Sequence, residues 1–488
     1  MIQFLMYFVT ILILYAVWTT IRPSGFPPGP CFSPFFGNTF LIKKLNKQLG
    51  GQYKAFMKCS QDYKTDILGL KLGNSLYVIV SGSKLIKQVY TKDEFQGRPD
   101  NFFIRLRTMG TRRGITMTEG PVWHEQRNFV ERIFRQLGFG RIKMENLIKQ
   151  ELANLVSVLG DRQDDISLSQ KLSAATLNVL WNIVGGIQIF KKQDKIDELI
   201  SLLKERDKAF DMSGGLLNQI PCLRFICPNF TNYNLIRSLN TKLYNFFQEV
   251  INEHKETLTS ETRDFIDAYL HEKQNSRNDY FTDDQLIAVC LDLFIGGALS
   301  TAYTLDFAIL ATINHPHIQR KLHEEIKVHL GQQEMPSLAD KSKLPYIEAL
   351  LLESQRFQHV IPIAGPRRVL KNTKLGNYKI PKNTIILTNL RSIHYDKNHW
   401  KDPEIFKPER FLNEKGELKI DNELCTFGLG KRRCPGEAFA KSFLFLTFTT
   451  LFHTYKISFP KDKKPSLELP PAGIFLRSPP YTVKLEAR

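Results

Sequence analysis

Phe427-Gly428-Leu429-Gly430-Lys431-Arg432-Arg433-Cys434-Pro435-Gly436 decides how the rest of the chain is read. It fills every fixed position of the pattern F-x-x-G-x-R-x-C-x-G. Glycines around a single cysteine let a loop bend tightly and bring backbone N–H groups to the sulfur. Pro435 suits the first position of a helix, and Gly436-Glu437-Ala438-Phe439-Ala440-Lys441 continues as one. Cys434 then stands at a helix N-terminus, where the dipole and Lys431, Arg432 and Arg433 favour thiolate over thiol. A thiolate so placed suits proximal coordination of a haem iron. Arg432 is a candidate partner for a haem propionate, and Phe427 a cover for the porphyrin face beside the sulfur. A lone cysteine ahead of a surface helix is more often merely buried; the completed pattern weighs against that reading here.

On these residues the chain resembles the cytochrome P-450 family, and in order and spacing its microsomal, substrate-diverse animal branch. The resemblance implies a mainly α fold with a small β region and a single N-terminal transmembrane helix. It implies haem b with Cys434 as the axial thiolate on iron and Gly436 beside it.

Length and composition agree with one large domain. The 488 residues contain no repeat and, after about the first thirty, no linker-like run. The formal net charge of +18 points to anionic lipid, an acidic protein partner or nucleic acid. The basic residues are scattered among apolar helical patterns, so nucleic acid is the least favoured. Seven cysteines form no C-x-x-C pair, which fits a reducing compartment with unpaired thiols.

Ile2 to Ile21 carries no charge and is long enough to cross a bilayer. A cleaved signal peptide would call for a basic start and a shorter core, so residues 1–21 read as an anchor. Arg22, Lys43, Lys44 and Lys47 then put the main domain in the cytosol. Residues 22–30, with Pro27-Pro28-Gly29-Pro30, read as a semi-rigid extended spacer, and 31–488 as the catalytic domain. Residues 66–80 read as a hairpin with a Gly-Asn turn. From Gly97 to Gly120 the chain reads as irregular; its Phe102, Phe103, Ile104 and Ile115 lie where the family closes a loop over substrate. Leu216 to Phe230 is too short and too broken by proline to span, and is a candidate second membrane contact.

Trp123 and Arg127 share a helix face four residues apart and are candidate haem contacts. Arg132, Arg135, Arg141 and Lys143 extend a basic surface suited to an acidic electron donor. Thr282-Asp283-Asp284-Gln285 forms a capping box in which Gln285 reaches back. The helical pattern then runs to Asn314, with Gly296-Gly297-Ala298-Leu299-Ser300-Thr301 midway. Mid-helix glycine costs about 1 kcal/mol against alanine, a loss that close approach to haem and oxygen would explain, with Gly297 and Ala298 lining the site.

Glu353 and Arg356 stand three apart on one helix face. The resemblance implies that they are buried with Arg410 as a structural network, and that Arg367 binds a propionate. It also places Ile361 on an apolar wall, and Ile474 or Phe475 on a turn that dips into the pocket. The strand signals at Tyr378–Ile380 and Ile385–Leu387 belong to the minor sheet.

The activity so implied inserts one atom of O₂ into an apolar small molecule, a xenobiotic, lipid or steroid. Electrons come from NADPH through a flavoprotein reductase, with cytochrome b5 as a second donor, at the endoplasmic reticulum membrane. One departure stands out. Where the family places an acid and then a threonine to organise proton delivery, this chain has Leu299 and Ser300. Leucine cannot relay a proton, and serine lacks the β-branch that stiffens its donor. Ser300 and Thr301 are the candidate catalytic hydroxyls, with Thr304 in reserve. Asp292, eight residues before Ser300, lies about 12 Å away along the axis. Two alternatives therefore stand beside the first: a haem-thiolate enzyme using peroxides independently of O₂, and a non-enzymatic haem or gas-binding protein.

Overall fold

The apolar run after Thr282 folds as one helix, Asp283–Asn314, of 32 residues. At 1.5 Å per residue it is about 48 Å long. Thr282 Oγ1 caps it by accepting from the Gln285 N–H at 3.2 Å. His315 and Pro316 end it, since proline has no N–H to continue the ladder. The computed structural model describes residues 2–186, 193–209, 215–276, 278–331, 335–461, 463, 465, 469–470 and 475–488.

Several other large elements pack on this helix. Leu168–Val184 packs along it most extensively, and Tyr233–Glu256 and Glu437–Thr454 also lean on it. Trp181 meets Phe294 with ring centroids 5.2 Å apart, and Phe247 meets Phe294 at 5.4 Å. The central helix is apolar on nearly all sides because helices surround it.

The β structure is small. One sheet runs Ile67–Leu72, Ser75–Val80, Ile385–Asn389, Ile363–Arg368 in spatial order. Its first pair is the expected hairpin, with Ile67 opposite Val80 and the turn at Gly73. Ile385–Asn389 pairs parallel with Ser75–Val80, Tyr77 opposite Ile385, so it sits inside the main sheet rather than in a minor one. Tyr378–Ile380 forms a separate hairpin with Thr373–Leu375. A third sheet joins Arg162–Ile166, Val483–Ala487 and Tyr455–Ser458.

Three further expectations need correction. The stretch from Gly97 to Gly120 is not wholly irregular: Phe102–Arg107 is a short helix capped by Asn101, whose side chain accepts from Ile104 N–H at 2.9 Å. Gln285 does not reach back to close a capping box; its side chain is turned elsewhere, as described below.

The proline-rich segment is not a free spacer. The Arg22 guanidinium donates to the carbonyls of Pro27, Gly29 and Pro30 at 2.5, 2.9 and 2.8 Å. Gly69 N–H donates to the Pro28 carbonyl at 2.7 Å, and Lys379 N–H to that of Gly25 at 2.8 Å. A Cβ on Gly29 would lie 2.1 Å from the Gly69 carbonyl oxygen, so only glycine permits this approach. Residues 22–30 are therefore an edge of the folded body.

Ile2–Thr20 is a helix long and apolar enough to cross a membrane, and its surface is almost wholly exposed. Its far end is fastened. Phe35 N–H donates to Thr19 Oγ1 at 2.9 Å, and Lys71 Nζ donates to the Thr19 carbonyl at 2.7 Å.

Candidate active site

The cysteine loop closes on itself. Cys434 N–H donates to the Phe427 carbonyl at 2.9 Å, and Arg433 N–H to that of Gly430 at 3.0 Å. Gly430 has φ +71°, and a Cβ there would lie 2.4 Å from the Tyr90 carbonyl oxygen, so the turn admits nothing larger. The following helix is Glu437–Thr454 with Gly436 at its N-cap, which leaves Pro435 outside it. Gly436 N–H donates to the Cys434 sulfur.

Cys434 has accessible surface although it lies deep in the protein, which is the mark of a side chain facing an internal space. Burial pushes its thiol up, and the Gly436 N–H and Arg127 offset this only in part. Of the loop cations Arg433 also favours the thiolate, less than Arg127 does, and each of the three is engaged elsewhere. Lys431 pairs with Asp93 at 2.7 Å, Arg433 with Glu437 at 2.7 Å, and the Arg432 guanidinium lies 3.7 Å over the Trp123 ring. Phe427 is partly exposed, with Lys441 Nζ 5.6 Å from its ring.

Three guanidiniums gather here, the buried Arg98 and Arg367 and the half-buried Arg432 of the loop itself. Arg367 Nη1 donates to Gln96 Oε1 at 2.5 Å, and Arg432 Nη2 donates to the carbonyls of Gln96 and Thr118 at 3.3 and 2.9 Å. Arg98 donates to the carbonyls of Thr116 and Pro366 at 2.9 and 3.0 Å. Burial pulls Arg432 down to about 9 with help from Arg367, and pulls Arg98 well down for the same two reasons. Among the described residues, Nε and Nη1 of Arg432 and Nε1 of Trp123 are buried without a partner. Arg98 is the member that sequence reading missed: a Gly-Arg-Pro loop has no period to mark its arginine. Arg127 is spent differently, on Glu131 and the Arg433 carbonyl, both at 2.5 Å.

On the central helix one face is open. Gly296 is exposed in mid-helix, with open space where a Cβ would stand. Ser300, one turn on, donates to the Gly296 carbonyl at 2.5 Å, and Thr304 donates to the Ser300 carbonyl at 2.8 Å. A Cβ on Gly297 would lie 2.9 Å from Leu180 Cδ2, so close helix packing already accounts for this glycine. Ala298 is buried and sits roughly 200° round from Gly296, and Thr301 about 140° round. Both turn away from the open face, leaving Ser300 as its hydroxyl. Leu299 is packed in the main apolar cluster.

The opposite wall is a strap held to the same helix. Gln285 pairs with both backbone groups of Gly114 at 3.2 Å. Asp292 Oδ2 accepts from the N–H groups of Ile115 and Thr116 at 2.7 and 2.8 Å, and its Oδ1 accepts from Arg107. Gly114 has φ +81°, and a Cβ there would collide with Asp292 Oδ2 at 2.3 Å. Ile115 and Phe103 are buried in this wall. Phe102 lies against Arg224, 4.6 Å over its ring, and Tyr233. Buried Phe475 donates its N–H to Asp207 at 3.3 Å, and Leu476 N–H donates to the Val360 carbonyl at 2.8 Å, which brings Phe475 near Ile361. Ile474 lies outside the described residues.

Beneath the loop, Arg356 grips Glu353 through two bonds of 2.7 and 2.8 Å, both side chains fully buried. Arg410 Nε is 3.4 Å from the same carboxylate, and Arg410 also holds the carbonyls of Trp400 and Asp402. His394 Nε2 accepts from Cys425 N–H at 3.2 Å, and its ring lies 4.7 Å from that of His359.

The model of the cytochrome P-450 family matches residues 27–485. The chain belongs to that family. It is 39% identical to probable cytochrome P-450 305a1 of Drosophila melanogaster, over 99% of each chain. It is 36% identical to farnesoate epoxidase of Bombyx mori, over 98% of this chain and 97% of that one. Cytochrome P-450 2J5 of Mus musculus is 33% identical, over 97% and 94% respectively. The protein is therefore a haem-thiolate monooxygenase, with iron on a cysteine thiolate, a small-molecule substrate and a redox partner. The orphaned donors of Arg432 and Trp123, among mutually repelling guanidiniums, fit a cofactor that brings two carboxylates.

Proposed function

We propose that Cys434 is the axial ligand and that the open face of Gly296 and Ser300 is where an apolar small molecule is oxygenated. The carrying observation is a buried yet accessible Cys434 in a loop whose Arg432, with the neighbouring Trp123, has unmet donors. Bound there, haem supplies reductive activation of O₂, in which one atom enters the substrate and the other leaves as water with two electrons and two protons. Arg98, Arg367 and Arg432 neutralise the propionates. Gly296 leaves room for the reacting atoms, Ser300 holds a hydroxyl at their edge, and the strap at Gly114–Thr116 excludes water. Farnesoate epoxidase acts on an isoprenoid by its name, and similarity across both chains supports a lipid-like substrate here.

Residues 1–21 form the membrane anchor in this reading, with the domain on the cytosolic face of the endoplasmic reticulum. Phe225, Ile226 and Phe230 are 76, 75 and 70% exposed, and Lys43 Nζ lies 5.3 Å from the Phe230 ring, which supports a second lipid contact. The exposed Arg132, Arg135, Arg141 and Lys143 suit an NADPH-dependent flavoprotein reductase or cytochrome b5. Purified protein, reduced under carbon monoxide, is expected to show the red-shifted Soret band of thiolate ligation. Cys434→Ser is expected to lose it, and an unchanged band would reject the assignment.

A second reading rests on Leu299. Packed in the core, it leaves the oxygen-facing turn without an acid. That favours leakage of reducing equivalents, or use of peroxide in place of O₂. Product formed per NADPH consumed decides: tight coupling removes this reading, and peroxide-supported turnover above the reductase-supported rate establishes it.

A further inference from the structure

His394 ends the short helix Arg391–His394 and is fully buried. It is gripped at one end and grips at the other. Its carbonyl accepts from Arg356 Nη1 at 2.7 Å, and its ring Nε2 accepts from the Cys425 N–H at 3.2 Å. An accepting ring nitrogen carries no proton, so the proton of this imidazole lies on Nδ1. Burial first, then His359, Arg356 and Arg391, pull the ring well down, so it stays neutral and keeps that acceptor. Among the described residues, its Nδ1 is buried without a partner. His359 lies against it, the two rings 4.7 Å apart and tilted by 60°. Burial keeps His359 neutral as well, and its proton is committed to the Ile361 carbonyl at 2.7 Å. The Thr426 carbonyl, 3.5 Å from the other nitrogen, then faces no donor. His394 is thus the ring that bonds the loop.

Packing alone does not explain an imidazole here. A buried N–H left unbonded is destabilising, and phenylalanine would fill nearly the same volume without that loss. The compensation lies in the segment it holds. Cys425 is buried, and among the described residues its N–H has no acceptor besides His394. Its sulfur accepts from the Gly428 N–H, and the Phe427 carbonyl accepts from the Cys434 N–H at 2.9 Å. Hydrogen bonds and a short run of backbone therefore join Glu353, through Arg356, His394, Cys425 and Phe427, to Cys434.

We infer that His394 is a positioning residue for Cys434: its ring and its carbonyl together carry the rigidity of the buried Glu353–Arg356 pair into the cysteine loop. The loop is thereby fixed where the Gly436 N–H meets the Cys434 sulfur. This rests on Cys434 as the axial ligand, proposed above. The inference makes one demand on the side chain at position 394, an acceptor at the reach of Nε2. Glutamine Oε1 supplies it and phenylalanine does not. The backbone carbonyl is the same in both variants, so each keeps the bond from Arg356.

The test compares His394→Phe and His394→Gln with the unmodified, full-length, haem-loaded protein. The carbon monoxide spectrum is followed over time in mild urea, as the red-shifted Soret band of thiolate ligation gives way to an unshifted one. Conversion is expected to quicken roughly tenfold in the phenylalanine variant, the scale of one unmet buried donor, and to stay within about twofold in the glutamine variant. A role in packing alone reverses this order, since phenylalanine keeps the shape of the ring and glutamine does not. That reversal, or equal rates in all three proteins, overturns the inference. A second measurement does not depend on how the variants fold. In the unmodified protein, hydrogen exchange at the Cys425 amide is expected to be as slow as in the core of the central helix. Exchange as fast as at the exposed Lys431 overturns the bond itself. The unmodified spectrum keeps the two levels apart: without a red-shifted band the axial-ligand reading fails, whereas a normal band indifferent to both variants defeats only this inference.

Discussion

Arg432 is asked to do more than its loop position suggested. Its guanidinium stacks on Trp123, holds two backbone carbonyls and still has two nitrogens without partners. Arg432→Gln removes the charge and leaves those carbonyls short of a donor. Haem loss, followed by transfer to an acceptor apoprotein, is expected to quicken by about tenfold, the scale of one charge-assisted bond. His359 makes a different demand. Burial pushes it down from its ordinary 6.5 to about 4, outweighing the carbonyls of Ile361 and Thr426 that face its two ring nitrogens and favour the charged form. The unfolded chain binds this proton below about pH 6.5, while the folded chain resists until about pH 4. Stability is thus complete above the higher value and falls as pH drops through the window, by about 1 kcal/mol per unit. Chemical denaturation at pH 7, 5.5 and 4.5 checks the slope, and His359→Gln is expected to flatten it.

At the scale of elements, the central helix shows how far a sequence reaches. Its length, its Thr282 cap and its end before Pro316 were all legible, since each depends on local chemistry. The cysteine loop was legible for the same reason. Which glycine faces the site was not, because it depends on how the helix is rotated against its neighbours. Gly296→Ala is expected to leave folding intact or stabilise it by up to about 1 kcal/mol, while crowding the open face and weakening substrate binding. Gly297→Ala meets Leu180 and is expected to destabilise by about 1–3 kcal/mol, with less effect on binding. Thermal melts and binding titrations of the pair separate the two roles. Gln285 was misread because one residue type satisfies both a capping box and the strap at Gly114, and only the tertiary contact selects between them. Arg98, in an aperiodic loop, gave no signal at all.

At the scale of the whole molecule, the buried pair of Glu353 and Arg356 ties its own helix to the Pro408–Phe411 turn and to the carbonyls of His394 and Pro403. Glu353→Gln leaves Arg356 buried without its charge partner, and is expected to cost about 3–5 kcal/mol and much of the haem-loaded yield. The yield, read as haem absorbance per protein, checks it against Glu348→Gln, a partly exposed acid on the same helix.

The fastened edge at residues 22–30 has a mechanical consequence. With Arg22 strapping the prolines and Lys71 holding Thr19, the stem leaves the body like a bracket rather than a tether. A bracket transmits torque. With the stem seated in a bilayer, as proposed above, the lipid plane would set one inclination of the catalytic body, and with it the height of the substrate entrance above the acyl chains. In oriented bilayers the porphyrin plane is expected to show one narrow tilt by linear dichroism. Arg22→Gln together with Lys71→Gln is expected to broaden that distribution while the carbon monoxide spectrum stays intact, turning a fixed lamp into a buoy.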